Sequence, residues 1–139
     1  MKIVSLEFSI KTNGNGHTCD ITPEVSQHLI NTRLRSGTVT IFVPGSTAAI
    51  TTIEYESGAI SDFNDAFERA VPKNIPYKHD QRWGDGNGFS HVRAAWLGPS
   101  VTVPFIDGEM CLGTWQQVVL VDFDRHPRNR KIVLQIIGE

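Results

Sequence analysis

Val4, Leu6, Phe8 and Ile10 alternate with Ser5, Glu7 and Ser9 near the start of the chain. Successive side chains of a strand point to opposite faces, so this period of two predicts a strand over residues 2–10 with one buried and one wet face. Asn13-Gly14-Asn15-Gly16 marks a turn, and His17 to Asp20 a short extended piece. Thr22-Pro23-Glu24 carries the signals of a helix start: a capping hydroxyl, a proline where no N–H is needed, and an acid at the positive end. Val25, Leu29 and Ile30 supply the apolar stripe, and Gly37 the expected stop. Residues 38–43 predict a strand halted by Pro44-Gly45, and residues 48–55 the next one. The simplest pairing is a hairpin joining the two across residues 44–47.

Ile60, Phe63 and Phe67 recur at helical spacing, and Pro72 ends that helix. Residues 72–88 show little periodicity and hold Gly84, Gly86 and Gly88. They predict a long loop of the kind that often carries function. Asn87 to Leu97 predicts a second short helix, ended by Gly98-Pro99. Val101–Ile106 and Glu109–Val121 predict strands around Asp107-Gly108, a strong hairpin signal. Arg125–Arg130 is a polar loop, and Lys131–Ile137 is apolar enough to be a central strand. Many strands joined by short turns, with helices between them, predict an α+β fold on an antiparallel or mixed sheet, in one domain over residues 1–139.

Composition narrows the function classes. The chain has 139 residues, 40% hydrophobic and 20% charged, which suits one packed domain. A net charge of −2 lacks the basic excess that nucleic acid or an anionic membrane attracts. No apolar run approaches the ~20 residues of a membrane span. The alternating N-terminus does not resemble a signal peptide, so a cytoplasmic location is expected. Cys19 and Cys111 stand apart and form no C-x-x-C pair. That argues for free thiols rather than a zinc ribbon or redox motif.

Chemistry concentrates in Tyr77-Lys78-His79-Asp80 and Asp85-Gly86-Asn87-Gly88-Phe89-Ser90-His91. Imidazole is the usual acid/base near neutral pH and a common metal ligand. Glycine lets the backbone approach a ligand. A helix starting near Asn87 would aim its free N–H groups at the same loop, a setting that attracts phosphate. A catalytic zinc-type site takes three protein ligands. His79 and His91 supply two, and Glu54, Asp80 and Asp85 are candidates for the third. The ordinary alternative is a histidine that caps a helix or bonds a carbonyl. Gly84-x-Gly86-x-Gly88 is not a dinucleotide fingerprint, no Walker-type lysine follows it, and no serine sits in a nucleophile elbow.

Other polar residues have quieter readings. Glu54 reads as a solvated strand end, and Asp62 with Asp65 as compensation in a first helical turn. Trp115 and Gln116 are neighbours early in a strand, so one packs while the other bonds or lies at an edge. Asp122 and Asp124 share a strand face. They offer a cation site or, offset by Arg125, Arg128 and Arg130, a solvated turn, which is the preferred reading. The arginines alternatively hold a phosphorylated ligand.

Taken together, these motifs resemble the YjbQ-like family. The likeness is carried by Tyr77-x-His79, Asp85-Gly86-Asn87-Gly88-x-x-His91, Gly98-Pro99-Ser100, Val103-Pro104, Asp107-Gly108, Leu112-Gly113-Thr114-Trp115-Gln116-Gln117, and Asp122-x-Asp124 with Arg130. Thr47, Glu54 and Asp62 add to it, and residues 1–40 add least. The resemblance implies a mostly antiparallel sheet curled into a half barrel with two or three helices, and a homotrimer. It also implies a secondary thiamine-phosphate synthase activity, which joins a pyrimidine diphosphate to a thiazole phosphate. Carried over residue by residue, it makes His79, His91, Glu54 and Asn87 the catalytic candidates. Asp85, Gly86, Gly88, Trp115 and Gln116 become ligand-binding candidates, and His79 with His91 the ligands of a divalent metal, zinc or magnesium. Phe89 stands where relatives tend to carry a small residue, which alters the pocket. The leading expectation is an enzyme acting on a phosphorylated small molecule. A metal- or phosphate-binding module without turnover and a structural trimer subunit are the alternatives.

Overall fold

The computed structural model describes residues 1–139. The N-terminal alternation gives strand β1, Lys2–Thr12. It is followed by β2 (His17–Asp20), α1 (Thr22–Thr32), β3 (Ser36–Phe42), β4 (Ala48–Ile53), α2 (Ser57–Ala70), α3 (Lys78–Trp83) and α4 (Gly88–Leu97). Then come β5 (Ser100–Ile106), β6 (Glu109–Met110), β7 (Gln117–Asp122) and β8 (Arg128–Gly138). One sheet runs β1-β8-β3-β5-β6 and the other β2-β7-β4. Every pairing is antiparallel. The result is an α+β fold whose sheets curl into a half barrel, with four helices instead of two or three.

The apolar runs account for the two central strands. β8 lies between β1 and β3, with Ile132, Leu134 and Ile136 fully buried on one face. β7 is buried on both faces. Val118 and Leu120 join the main core with Ile21, Val25 and Leu29, while Val119 and Val121 join a smaller cluster with Ala49, Phe67, Ala94 and Phe123. A strand covered on both sides has no polar alternation, which explains Val118-Val119-Leu120-Val121.

Several expectations need correction. β3 and β4 do not form a hairpin, because β8 and β5 take both edges of β3 while β4 crosses to pair with β7. Residues 109–121 are not one strand. β6 ends after pairing Glu109 and Met110 with β5, and the chain turns at Gly113–Gln116, closed by Gln116 N–H donating to the Gly113 carbonyl at 3.1 Å. The helix α1 stops at Arg33, in a left-handed conformation with φ +62°, and not at Gly37. Gly37 lies in β3, where a Cβ would strike the Ile137 carbonyl. Thr22 does not cap α1: its hydroxyl accepts the Val118 N–H at 2.8 Å and ties the helix to β7. Glu56 caps α2 by accepting the N–H groups of Gly58 and Ala59, so Asp62 and Asp65 lie beyond the first turn. The segment 72–88 is not all loop, since it contains α3. No helix is long and apolar enough to cross a membrane.

Candidate metal centre

Two short helices and a glycine turn bring the polar residues of this segment together. α3 begins after Tyr77, whose hydroxyl donates to the Pro72 carbonyl at 2.6 Å. Burial pushes the Tyr77 phenol above its ordinary pKa, and the charges of Glu68 and Asp80 push the same way against Arg93. α3 stops at Gly84 (φ +70°), and Gly86 (φ +69°) makes a second left-handed step before α4. Such steps are strained for residues with a Cβ. Gly88 is required for another reason: a Cβ there would lie 2.6 Å from that of Tyr77.

This path places His79 Nδ1 3.3 Å from Asp85 Oδ1 and 3.8 Å from Asp80 Oδ1. One donor atom from each of His79, Asp80 and Asp85 lies within 4.8 Å of the other two. The His91 ring, from α4, tilts against His79 with centroids 4.4 Å apart, but the converging donor set pairs His79 with Asp80 and Asp85 and not with His91, the second ligand expected from the resemblance. In the amide orientation its surroundings require, Asn87 donates to Asp85 Oδ1 at 3.0 Å and Oδ2 at 3.2 Å. The Gly88 N–H donates to Asp80 Oδ1 at 2.8 Å, so the first free donor of α4 already faces a carboxylate of the chain. Both acids therefore have fixed orientations.

The donor set suits a divalent cation. His79, Asp80 and Asp85 are the residues that would hold such an ion, and it would supply a Lewis acid at this point of the surface. Imidazole and carboxylate oxygen are both zinc ligands, while two carboxylates with water also suit magnesium; the imidazole nitrogen is what tips the set toward zinc. His91 also lines a cavity of about 240 Å³ with Gly45, Ser46, Ala48, Ala94, Ala95 and Pro99. A small molecule in that cavity would lie beside the His91 imidazole.

The other candidates lie elsewhere. Glu54 and Trp115 line a different pocket with Asp20, Tyr55, Glu56, Thr114 and Gln117. Trp115 is 73% exposed and not in the core, because it sits in the turn before β7. Gln116 folds onto the same turn, accepting the Gly113 N–H at 3.0 Å and donating to Thr52 Oγ1 at 3.1 Å. The structure thus brings together His79, His91, Asp80, Asp85 and Asn87, and leaves Glu54, Trp115 and Gln116 on another part of the surface.

A sequence profile described as UPF0047 protein YjbQ-like matches residues 6–139. This chain belongs to the YjbQ-like family. A UPF0047 protein from Methanothermobacter thermautotrophicus is 38% identical over 139 residues, covering 100% of this chain and 95% of the relative. The UPF0047 protein YugU of Bacillus subtilis is 33% identical over 132 residues, covering 94% of this chain and 97% of its own. Among solved structures, a YbjQ-like protein of unknown function from Sulfolobus solfataricus superposes with a TM-score of 0.93. It shares 30% identity and covers 99% of both chains.

In this YjbQ-like chain the Asp122-x-Asp124 motif with Arg130 is no solvated turn. Asp122 is fully buried and Asp124 is 3% exposed. Arg130 Nε and Nη2 both donate to the Asp122 carboxylate at 2.8 Å, and Thr12 Oγ1 adds a bond at 2.6 Å. Asp124 accepts from Arg128 Nε at 3.0 Å, from Thr47 Oγ1 at 3.2 Å and from the Arg125 N–H at 2.7 Å. Burial works to raise both carboxyls, but these bonds outweigh it and hold both below the ordinary aspartate pKa. The second acid faces inward because the chain turns back toward β8 right after β7. Nothing in local periodicity signals that. Arg93, 3% exposed, was equally hidden from the sequence: it donates to the Val71 carbonyl and to Glu68.

Proposed function

We propose that the His79 loop binds a divalent cation of the zinc type, and that this YjbQ-like protein uses it to act on a phosphorylated small molecule held beside His91. The convergence of His79, Asp80 and Asp85 donor atoms within 4.8 Å carries this reading. Bound there, such a metal neutralises the charge that builds on a departing phosphate or pyrophosphate. His79 anchors the donor set, Asn87 and the Gly88 N–H orient its two acids, and His91 is placed to move a proton at the edge of the cavity. Formation of thiamine phosphate from a pyrimidine diphosphate and a thiazole phosphate is the specific reaction to assay first.

The experiment combines metal analysis with turnover. Purified protein is expected to hold about one zinc per chain. His79→Ala is expected to lose the metal. His91→Ala should keep it, yet lower turnover of the thiamine precursors or another phosphate ester by at least about 100-fold, the low end for a general acid or base. Loss of neither metal nor activity in His79→Ala rejects the proposal. Tight binding of phosphate esters without product, across a substrate panel, converts it to a binding module that uses the same residues.

A further inference from the structure

Arg125 sits between β7 and β8, forty residues from the loop it touches. Its N–H donates to buried Asp124, and its carbonyl accepts from Asn15 Nδ2 at 3.3 Å. The main chain here is therefore held by the Asp122–Asp124–Arg130 lattice and by the turn between β1 and β2. From this anchor, Arg125 Nη1 donates to the Asp85 carbonyl at 2.7 Å. The same nitrogen lies against Gly86, where any Cβ would collide with it. The Asp85 peptide is flanked by two left-handed glycines, Gly84 and Gly86. Glycines restrict the backbone least, so this peptide needs an outside contact to keep one orientation. Asn87 holds the Asp85 carboxylate, and Arg125 holds the peptide that carries it toward His79.

We propose that Arg125 is a positioning residue of the His79–Asp80–Asp85 centre. It touches the Asp85 backbone and none of the three donor atoms. Its grip keeps the Asp85 carboxylate in the donor set and fastens the centre to the buried lattice. This inference rests on the metal-binding reading above and adds to it the part that sets the geometry. Outer partners of metal ligands typically contribute about 10- to 100-fold in metal affinity.

Calorimetric titration with zinc ions, on wild type, Arg125→Ala, Asp85→Ala and the double variant, tests it. Arg125→Ala is expected to bind zinc about 10- to 100-fold more weakly while melting at nearly the wild-type temperature. Arg125→Lys should not restore affinity, since the lysine side chain ends one bond short of the position from which Nη1 donates to the Asp85 carbonyl. In the Asp85→Ala background, removing Arg125 should cost nothing more, because the carboxylate it positions is gone. Unchanged affinity in Arg125→Ala overturns the proposal, and so do additive losses in the cycle. Hydrogen exchange of the 85–88 amides without metal separates this from failure of the metal reading. If wild type takes up no zinc, faster exchange in Arg125→Ala still establishes the grip, and unchanged exchange removes it.

Discussion

Truncating Arg130 would take the guanidinium from the fully buried Asp122 carboxylate, while Asp124 keeps Arg128 and Thr47. The pair Arg130 makes with Asp122 is bidentate, and breaking a buried pair on one side generally costs about 3–5 kcal/mol. Arg130→Ala is expected to lower unfolding stability by about that amount in urea titrations. The pH dependence follows from the same residues. Asp122 and Asp124 have depressed pKa values in the folded state, so their contribution is fully present above the unfolded value of about 3.9 and disappears as pH falls through the folded values. Asp122→Asn removes one titrating group without changing shape. Below pH 4 its stability should fall less steeply, by up to about 1.4 kcal/mol per pH unit, in acid titrations followed by circular dichroism. An unchanged slope would show that Asp122 does not drive acid unfolding.

At the level of elements, what the chain reveals in advance depends on how local the deciding contact is. β1 was legible because its own alternation creates its two faces. α2 was legible from Phe63 and Phe67, which pack edge to face at 5.0 Å. His79 and His91 stood out because they lie only twelve positions apart in the chain. Arg125 did not, since its contact with Asp85 spans forty positions. The end of α1 was misplaced because Arg33, not a glycine, adopts the left-handed cap. That residue costs about 1–2 kcal/mol there, and glycine gives back about 0.5–1 kcal/mol through its own entropy. Arg33→Gly should therefore stabilise the protein by roughly 0.5–1 kcal/mol in thermal denaturation.

Across the whole molecule, five of the six strand pairings join segments far apart in sequence, and only β5 with β6 is a tight hairpin. Lys2 lies opposite Gly138, and His17 opposite Asp122. That topology has a kinetic consequence. Closing such large loops costs entropy before any ladder forms to repay it, so the rate-limiting ensemble must gather strands from both ends of the chain at once. Refolding after dilution from denaturant should take roughly milliseconds to seconds, the range of domains dominated by distant pairings. Stopped-flow fluorescence of the tryptophans would show it. A microsecond phase carrying the full amplitude would mean that helices, rather than the meeting of remote strands, set the pace.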